Sequence, residues 1–150
     1  MSGNLFDTNV WVALTFSSHP HHDLARGAFD RASRRAPAYF CRATQQSFLR
    51  LAVTPALLKL YGAEGFTNLD ALDLLNSLNR HPKVGFLEEP AEGETLWHQL
   101  AGMPSASPKV WMDAYLAAFA IGHQLELLTL DGDFKSFVKA GLKLKLLVST

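Results

Sequence analysis

The chain has 150 residues, 48% apolar and 19% charged, with 14 basic against 14 acidic side chains. That is ordinary composition for one globular domain, residues 1–150, with enough apolar side chain for a core. Its zero formal net charge excludes a nucleic-acid partner held by bulk charge, and its single cysteine, Cys41, excludes an internal disulfide framework.

In chain order, "NLF" is a short strand candidate and "TNVWVALTF" a helix with Val10, Trp11 and Leu14 on helical spacing, capped by the Thr8 hydroxyl. "HHDLARGAFDRASRR" predicts an amphipathic helix ended by Pro37. "AYFC" is a second strand, and "RATQQSFLRLAV" a helix closed by Pro55. "TPALLKLYGAEGF" follows, as core or as a groove for a partner helix. "TNLDALDLLNSLNRH" is a helix opened by Thr67, "KVGFLEE" a third strand, and "EGETLWHQLAG" a helix ending at Gly102. "SPKVWMDAYLAAFAIGHQ" is a helix with Ser107 as cap and Pro108 at its first position. "LELLTL" is a fourth strand, "DGDFKSFVKAG" a turn and short helix, and "KLKLLV" a fifth strand. Strands alternating with helices predict an α/β fold with a parallel sheet covered on both faces. The longest apolar run, "AYLAAFAI", is too short to span a bilayer, and the first residues lack the basic start and cleavage site of a signal peptide. The expectation is a soluble cytoplasmic protein with no membrane partner.

Acidic residues stand where such a fold has no need of them. Asp7 follows the first strand, Asp131 and Asp133 follow the fourth, and Asp113 lies in the helix feeding that fourth strand. Ligands of open parallel sheets bind beyond the carboxyl ends of strands, where strand order reverses. If the first and fourth strands are neighbours, Asp7 and Asp131 face one crevice and Asp113 reaches it from the helix. Two carboxylates about 4 Å apart repel by about 4 kcal/mol at an effective dielectric of about 20. A hard divalent cation removes that conflict, and Mg²⁺ or Mn²⁺ bound by oxygen ligands supports phosphodiester hydrolysis. Taken singly, Asp7 fits a turn or cap equally well, and "DGD" is ordinary turn chemistry. Asp113 is harder to dismiss, because it lies beside the buried face marked by Val110, Ala114, Ala117 and Ile121.

"LFDTNVWVAL", "ATQQSFLRLAV", "VWMDAYLAAFA" and "LLTLDGDFKSF" occur in the order seen in PIN-domain ribonucleases. The chain most resembles the toxins of VapBC toxin–antitoxin pairs, nearly end to end, and "HPHHDLARGAF" is similar to one toxin subgroup. The resemblance implies a three-layer α/β sandwich with a central parallel sheet of order 3-2-1-4-5 flanked by helices. It implies an endoribonuclease dependent on Mg²⁺ or Mn²⁺, with an RNA substrate, a VapB-type antitoxin and a homodimer. It makes Asp7, Asp113 and Asp131 the catalytic metal ligands, with Asp133 an accessory ligand. Thr8, Asn9 and Thr129 become supports that hold the carboxylates. Gln45 stands where many members carry Glu. It offers a neutral oxygen and an amide donor, so it can orient a water but supplies no negative charge.

Arg50 is a weak candidate for contacting phosphate. Arg26, Arg31, Arg34 and Arg35 form a basic helix face, read first as solvated and second as a contact for RNA or an acidic antitoxin tail. His19, His21 and His22 lack the second cluster that a zinc site needs. Trp11, Trp97 and Trp111 read as core or interface rather than as base-stacking platforms, and Cys41 as a small buried filler. Two rival functions remain open: a non-cleaving PIN-like module that binds RNA or protein, and, ranked low, an aspartyl phosphotransferase using Asp7.

Overall fold

The computed structural model describes residues 2–148. Five short strands, β1 (Asn4–Phe6), β2 (Ala38–Phe40), β3 (Val84–Phe86), β4 (Glu126–Thr129) and β5 (Lys143–Leu146), form one parallel sheet. Its order is β3-β2-β1-β4-β5, as the resemblance implied. The chain moves outward from β1 in one direction and returns to start again on its other side with β4. The β1/β4 seam is therefore the switch point.

Between the strands run α1 (Thr8–Thr15), α2 (His22–Arg31), α3 (Arg42–Ala52), α4 (Pro55–Leu60), α5 (Asn68–Arg80), α6 (Gly93–Ala101) and α7 (Val110–His123). A 3₁₀ helix, Gly132–Ala140, joins β4 to β5. Alternation along each strand sorts the two cores. Phe6 and Leu128, partners in register, pack with Trp11, Phe40, Phe48 and Leu75 under α1–α5. Leu5 and Leu127, also partners, pack with Ala117, Phe119 and Phe134 under α6, α7 and the 3₁₀ helix. Trp11 stacks on Phe40 with centroids 3.8 Å apart, and Cys41 is buried as expected. No helix among the described residues is long and apolar enough to cross a membrane.

Three local expectations need correction, and one segment without an assigned element gains one. Asp7, not Thr8, caps α1: its Oδ1 accepts the Thr8 amide at 2.7 Å, because extended backbone at Asp7 aims its short side chain at the first free N–H. The second helix stops at Arg31, where Ala32 turns extended, so Arg34 and Arg35 lie in a loop off the helix face. Residues 55–60 are a short helix of their own, with Pro55 at its start and Leu58 buried. The α-helical ladder of α7 starts at Val110. Pro108 and Lys109 form a preceding turn closed by the Val110 amide on the Ser107 carbonyl at 3.3 Å, and no side chain caps it.

Candidate functional site

Strand parity carries the carboxylates to one place. Asp7 is two residues beyond Leu5 and, with φ −63° and ψ 155°, prolongs β1 by one residue. Thr129 and Asp131 follow Leu127 at the same two-residue step, and Asp131 is also extended. All of these side chains therefore point to the α7 side of the sheet, where Asp113 sits in the first turn of α7.

Thr129 is the hub. Its buried hydroxyl donates to Asp7 Oδ2 at 2.8 Å and accepts from the Asp131 amide at 3.0 Å and from Asn9 Nδ2 at 3.3 Å. A hydroxyl has one proton and two lone pairs, so every bond it can make is made. Asn9 returns across the seam, its Oδ1 accepting the Leu130 amide at 3.2 Å. The end of β1 and the end of β4 are thus pinned together through side chains.

Carboxylate oxygens of Asp113, Asp131 and Asp133 lie within 4.8 Å of one another. The Asp133 amide donates to Asp131 Oδ1 at 2.9 Å, which fixes the "DGD" turn. Asp7 adjoins this group. Its carboxyl is raised to about 6: burial pushes it up most, the two hydrogen bonds from Thr129 and Thr8 pull it down, and the charges of Asp113 and Asp131 push it up again. Asp113 is also raised, by desolvation first and then by Asp131 and Asp133, against a lowering by Lys109. Crowded all-oxygen donors, with Asp7 and Asp113 raised by burial and by their neighbours' charge, fit a hard divalent cation, which would remove both the repulsion and the desolvation cost.

Gln45 is buried on α3, and its Oε1 accepts from Arg42 Nη1 at 2.6 Å. Arg42 also lies over the Phe86 ring at 4.8 Å. Arg50, exposed at the end of α3, lines a cleft with Arg42, Gln46, Ser47 and Tyr115 rather than the acidic group itself. The histidines stay apart from any site: His19 Nδ1 accepts the His21 amide at 3.0 Å, and His22 Nδ1 lies 2.8 Å from the Ala13 carbonyl.

Two features escaped the sequence reading. Lys109 Nζ lies 3.0 Å from Asp133 Oδ2, and Asp133, Asp131 and Asp113 all hold its charge on. Its four-residue spacing from Asp113 was the available signal. The second is Trp111, which is 54% exposed and stands at the mouth of an aromatic cavity. The expectation of core or interface holds for Trp11, which is fully buried, but Trp111 is not core.

Fold and site together define a class: a parallel α/β protein with an acidic, metal-fitting centre at its switch point. The PIN domain family model matches residues 5–140, and the chain belongs to the PIN-domain family. Ribonuclease VapC41 of Mycobacterium tuberculosis is 40% identical over 144 residues, 95% of this chain and 97% of that protein. Among solved structures, VapBC-1 from nontypeable Haemophilus influenzae matches with a TM-score of 0.63 at 14% identity, covering 97% of this chain and 98% of that one. Mycobacterium tuberculosis VapC20, described as a sarcin–ricin loop cleaving toxin, matches with a TM-score of 0.61 at 17% identity, covering 93% and 96%.

Proposed function

We propose that this chain is the toxin of a type II toxin–antitoxin pair, an endoribonuclease that cuts RNA with a divalent metal, Mg²⁺ or Mn²⁺, held by Asp7, Asp113, Asp131 and Asp133. The observation that carries the metal is the convergence of three carboxylates within 4.8 Å beside a fourth whose proton is retained up to about pH 6. A bound divalent ion supplies positive charge to a phosphodiester and acidity to a water. The chain's own residues do the rest. Thr129 and the Thr8 amide hold both oxygens of Asp7, so its carboxylate cannot rotate away from the cluster. Asn9 keeps the β1 and β4 ends in register beneath it. Lys109, exposed at the rim, can leave Asp133 for a phosphate oxygen as RNA arrives. Gln45, held by Arg42, sets the α3 wall without adding charge. A VapB-type antitoxin belongs to the same reading, supported by the relatives' naming as VapC ribonucleases and by neighbours described as toxin–antitoxin complexes; a homodimer is proposed with it.

The test is cleavage of total bacterial RNA by the purified protein with Mg²⁺ or Mn²⁺ and after chelation. Cleavage should need the metal and be abolished by Asp113→Asn and by Asp131→Asn, with both variants still folded. Undiminished cleavage in chelator, or in both variants, overturns the assignment. RNA binding without cleavage under all conditions would instead establish the non-cleaving module.

A further inference from the structure

Beside the acidic centre lies a cavity of about 320 Å³ lined by Ala43, Trp97, Trp111, Met112 and Tyr115. It is close to the carboxylates by construction, because Met112 immediately precedes Asp113 and Lys109 lies two residues before Trp111. Its walls are braced. Trp97 Nε1 donates to the Trp111 carbonyl at 2.9 Å, and the Tyr115 hydroxyl to Glu89 Oε1 at 2.9 Å. Trp97 meets Trp111 at 74° and Tyr115 at 87°, so the rings form a corner and not a stack that fills itself. Trp111 and Met112 are 54% and 46% exposed.

The cavity opens into a cleft of about 540 Å³, with Ala43, Met112 and Tyr115 common to both. That cleft adds Arg42, Gln46, Ser47 and Arg50. Neither guanidinium has a carboxylate partner among the described residues. An aromatic corner, Arg50, and Arg42 beyond the one bond it gives Gln45 stand next to the helix turn that carries Asp113, and these are the parts that hold single-stranded nucleic acid: rings stack on bases and cations follow the backbone. A purely apolar partner would leave those arginines unused.

We propose that this cavity is a base-binding subsite, taking one unpaired base of the RNA strand beside the cut while Arg42 and Arg50 hold the adjoining phosphates. The proposal rests on the nuclease reading for its position along the strand, though not for the binding itself. A second copy of this chain is the competing occupant.

Two arms test it. In the first, short oligouridylate and oligoadenylate are titrated in chelator, with tryptophan fluorescence as the readout. Saturable quenching is expected, with affinity about ten- to a hundredfold weaker in Trp111→Ala and largely kept in Trp111→Phe. Trp111→Ala leaves the backbone carbonyl that Trp97 uses, so the fold is retained. In the second arm, an oligoribonucleotide spanning a mapped cut site carries a single abasic ribose at successive positions. One position should lower kcat/KM about ten- to a hundredfold in the unsubstituted protein and have little effect in Trp111→Ala. The absence of quenching overturns the proposal, as does an abasic profile unchanged by Trp111→Ala. A dimer that becomes monomeric in Trp111→Ala, with unchanged RNA affinity, overturns it in favour of the second copy. If the protein binds RNA through Trp111 but cuts nothing, the subsite stands and the nuclease reading falls.

Discussion

The two oxygens of Asp7 have different owners, the Thr8 amide on Oδ1 and the Thr129 hydroxyl on Oδ2, and the group is nonetheless raised from 3.8 to about 6. Burial outweighs both bonds. The sign of the consequence follows from proton counting. Between about pH 4 and about pH 6 the folded chain holds a proton on Asp7 that the unfolded chain has released, so stability falls as pH rises through that window. A gap from 3.8 to about 6 is worth about 3 kcal/mol once complete, above about pH 6. We predict that metal-free protein loses stability of that order between about pH 4 and about pH 7, and that Asp7→Asn flattens the dependence and is the more stable form at neutral pH. Urea denaturation in chelator at the two ends of that range measures it; equal slopes in both proteins would refute it. At this scale the sequence disclosed the acidic residues, because Asp after a strand and Asp beside a buried helix face are conspicuous. It concealed that Lys109 bonds Asp133, 24 residues further along the chain, and it hid that one carboxylate both caps a helix and feels the charge of the cluster.

Elements were easier to read than their ends. All five strands and every helix between them except α4 follow from alternating hydrophobic runs and turn residues, and Thr67 opens α5 as its sequence promised, through a capping box with Asp70. The misplaced boundaries lie where tertiary packing decides. After Arg31 the chain must leave α2 to reach β2, and before Val110 it must complete a turn first. One glycine sets how the sheet begins. Gly3 has φ +112°, and a Cβ there would lie 2.7 Å from both the Pro37 carbonyl and the Tyr39 ring, just where β1 enters register with β2. Gly3→Ala should therefore cost about 1–3 kcal/mol of stability, from left-handed strain and a clash with backbone. Since Gly3 is at the end of β1 opposite Asp7, activity per folded molecule should be unchanged. A denaturation midpoint equal to that of the parent protein would show that the strand entry relaxes freely.

Over the whole molecule, neutrality conceals an arrangement. Fourteen acidic and fourteen basic side chains cancel in the sum, yet four aspartates gather at the switch point and two arginines line the neighbouring cleft. The topology was legible from the alternation of elements together with the family resemblance, while the cleft was not, since it is made of α3, α6 and α7, which meet only in the folded chain. This arrangement sets how RNA binding responds to salt. Each phosphate neutralised on a single strand contributes about −0.7 to the slope of log affinity against log salt. Two arginines give a slope of about −1.4, and a phosphate contact by Lys109 would take it to about −2.1, so affinity should fall only about seven- to eighteenfold over a fourfold rise in salt. Arg50→Gln should reduce the slope by about 0.7 and weaken all sequences alike, whereas Trp111→Ala should weaken binding and leave the slope unchanged. Titrations in chelator over a range of potassium chloride separate the two. A slope much steeper than about −3 would mean that a wider basic surface, such as the one around Arg26, Arg31, Arg34 and Arg35, carries the strand instead.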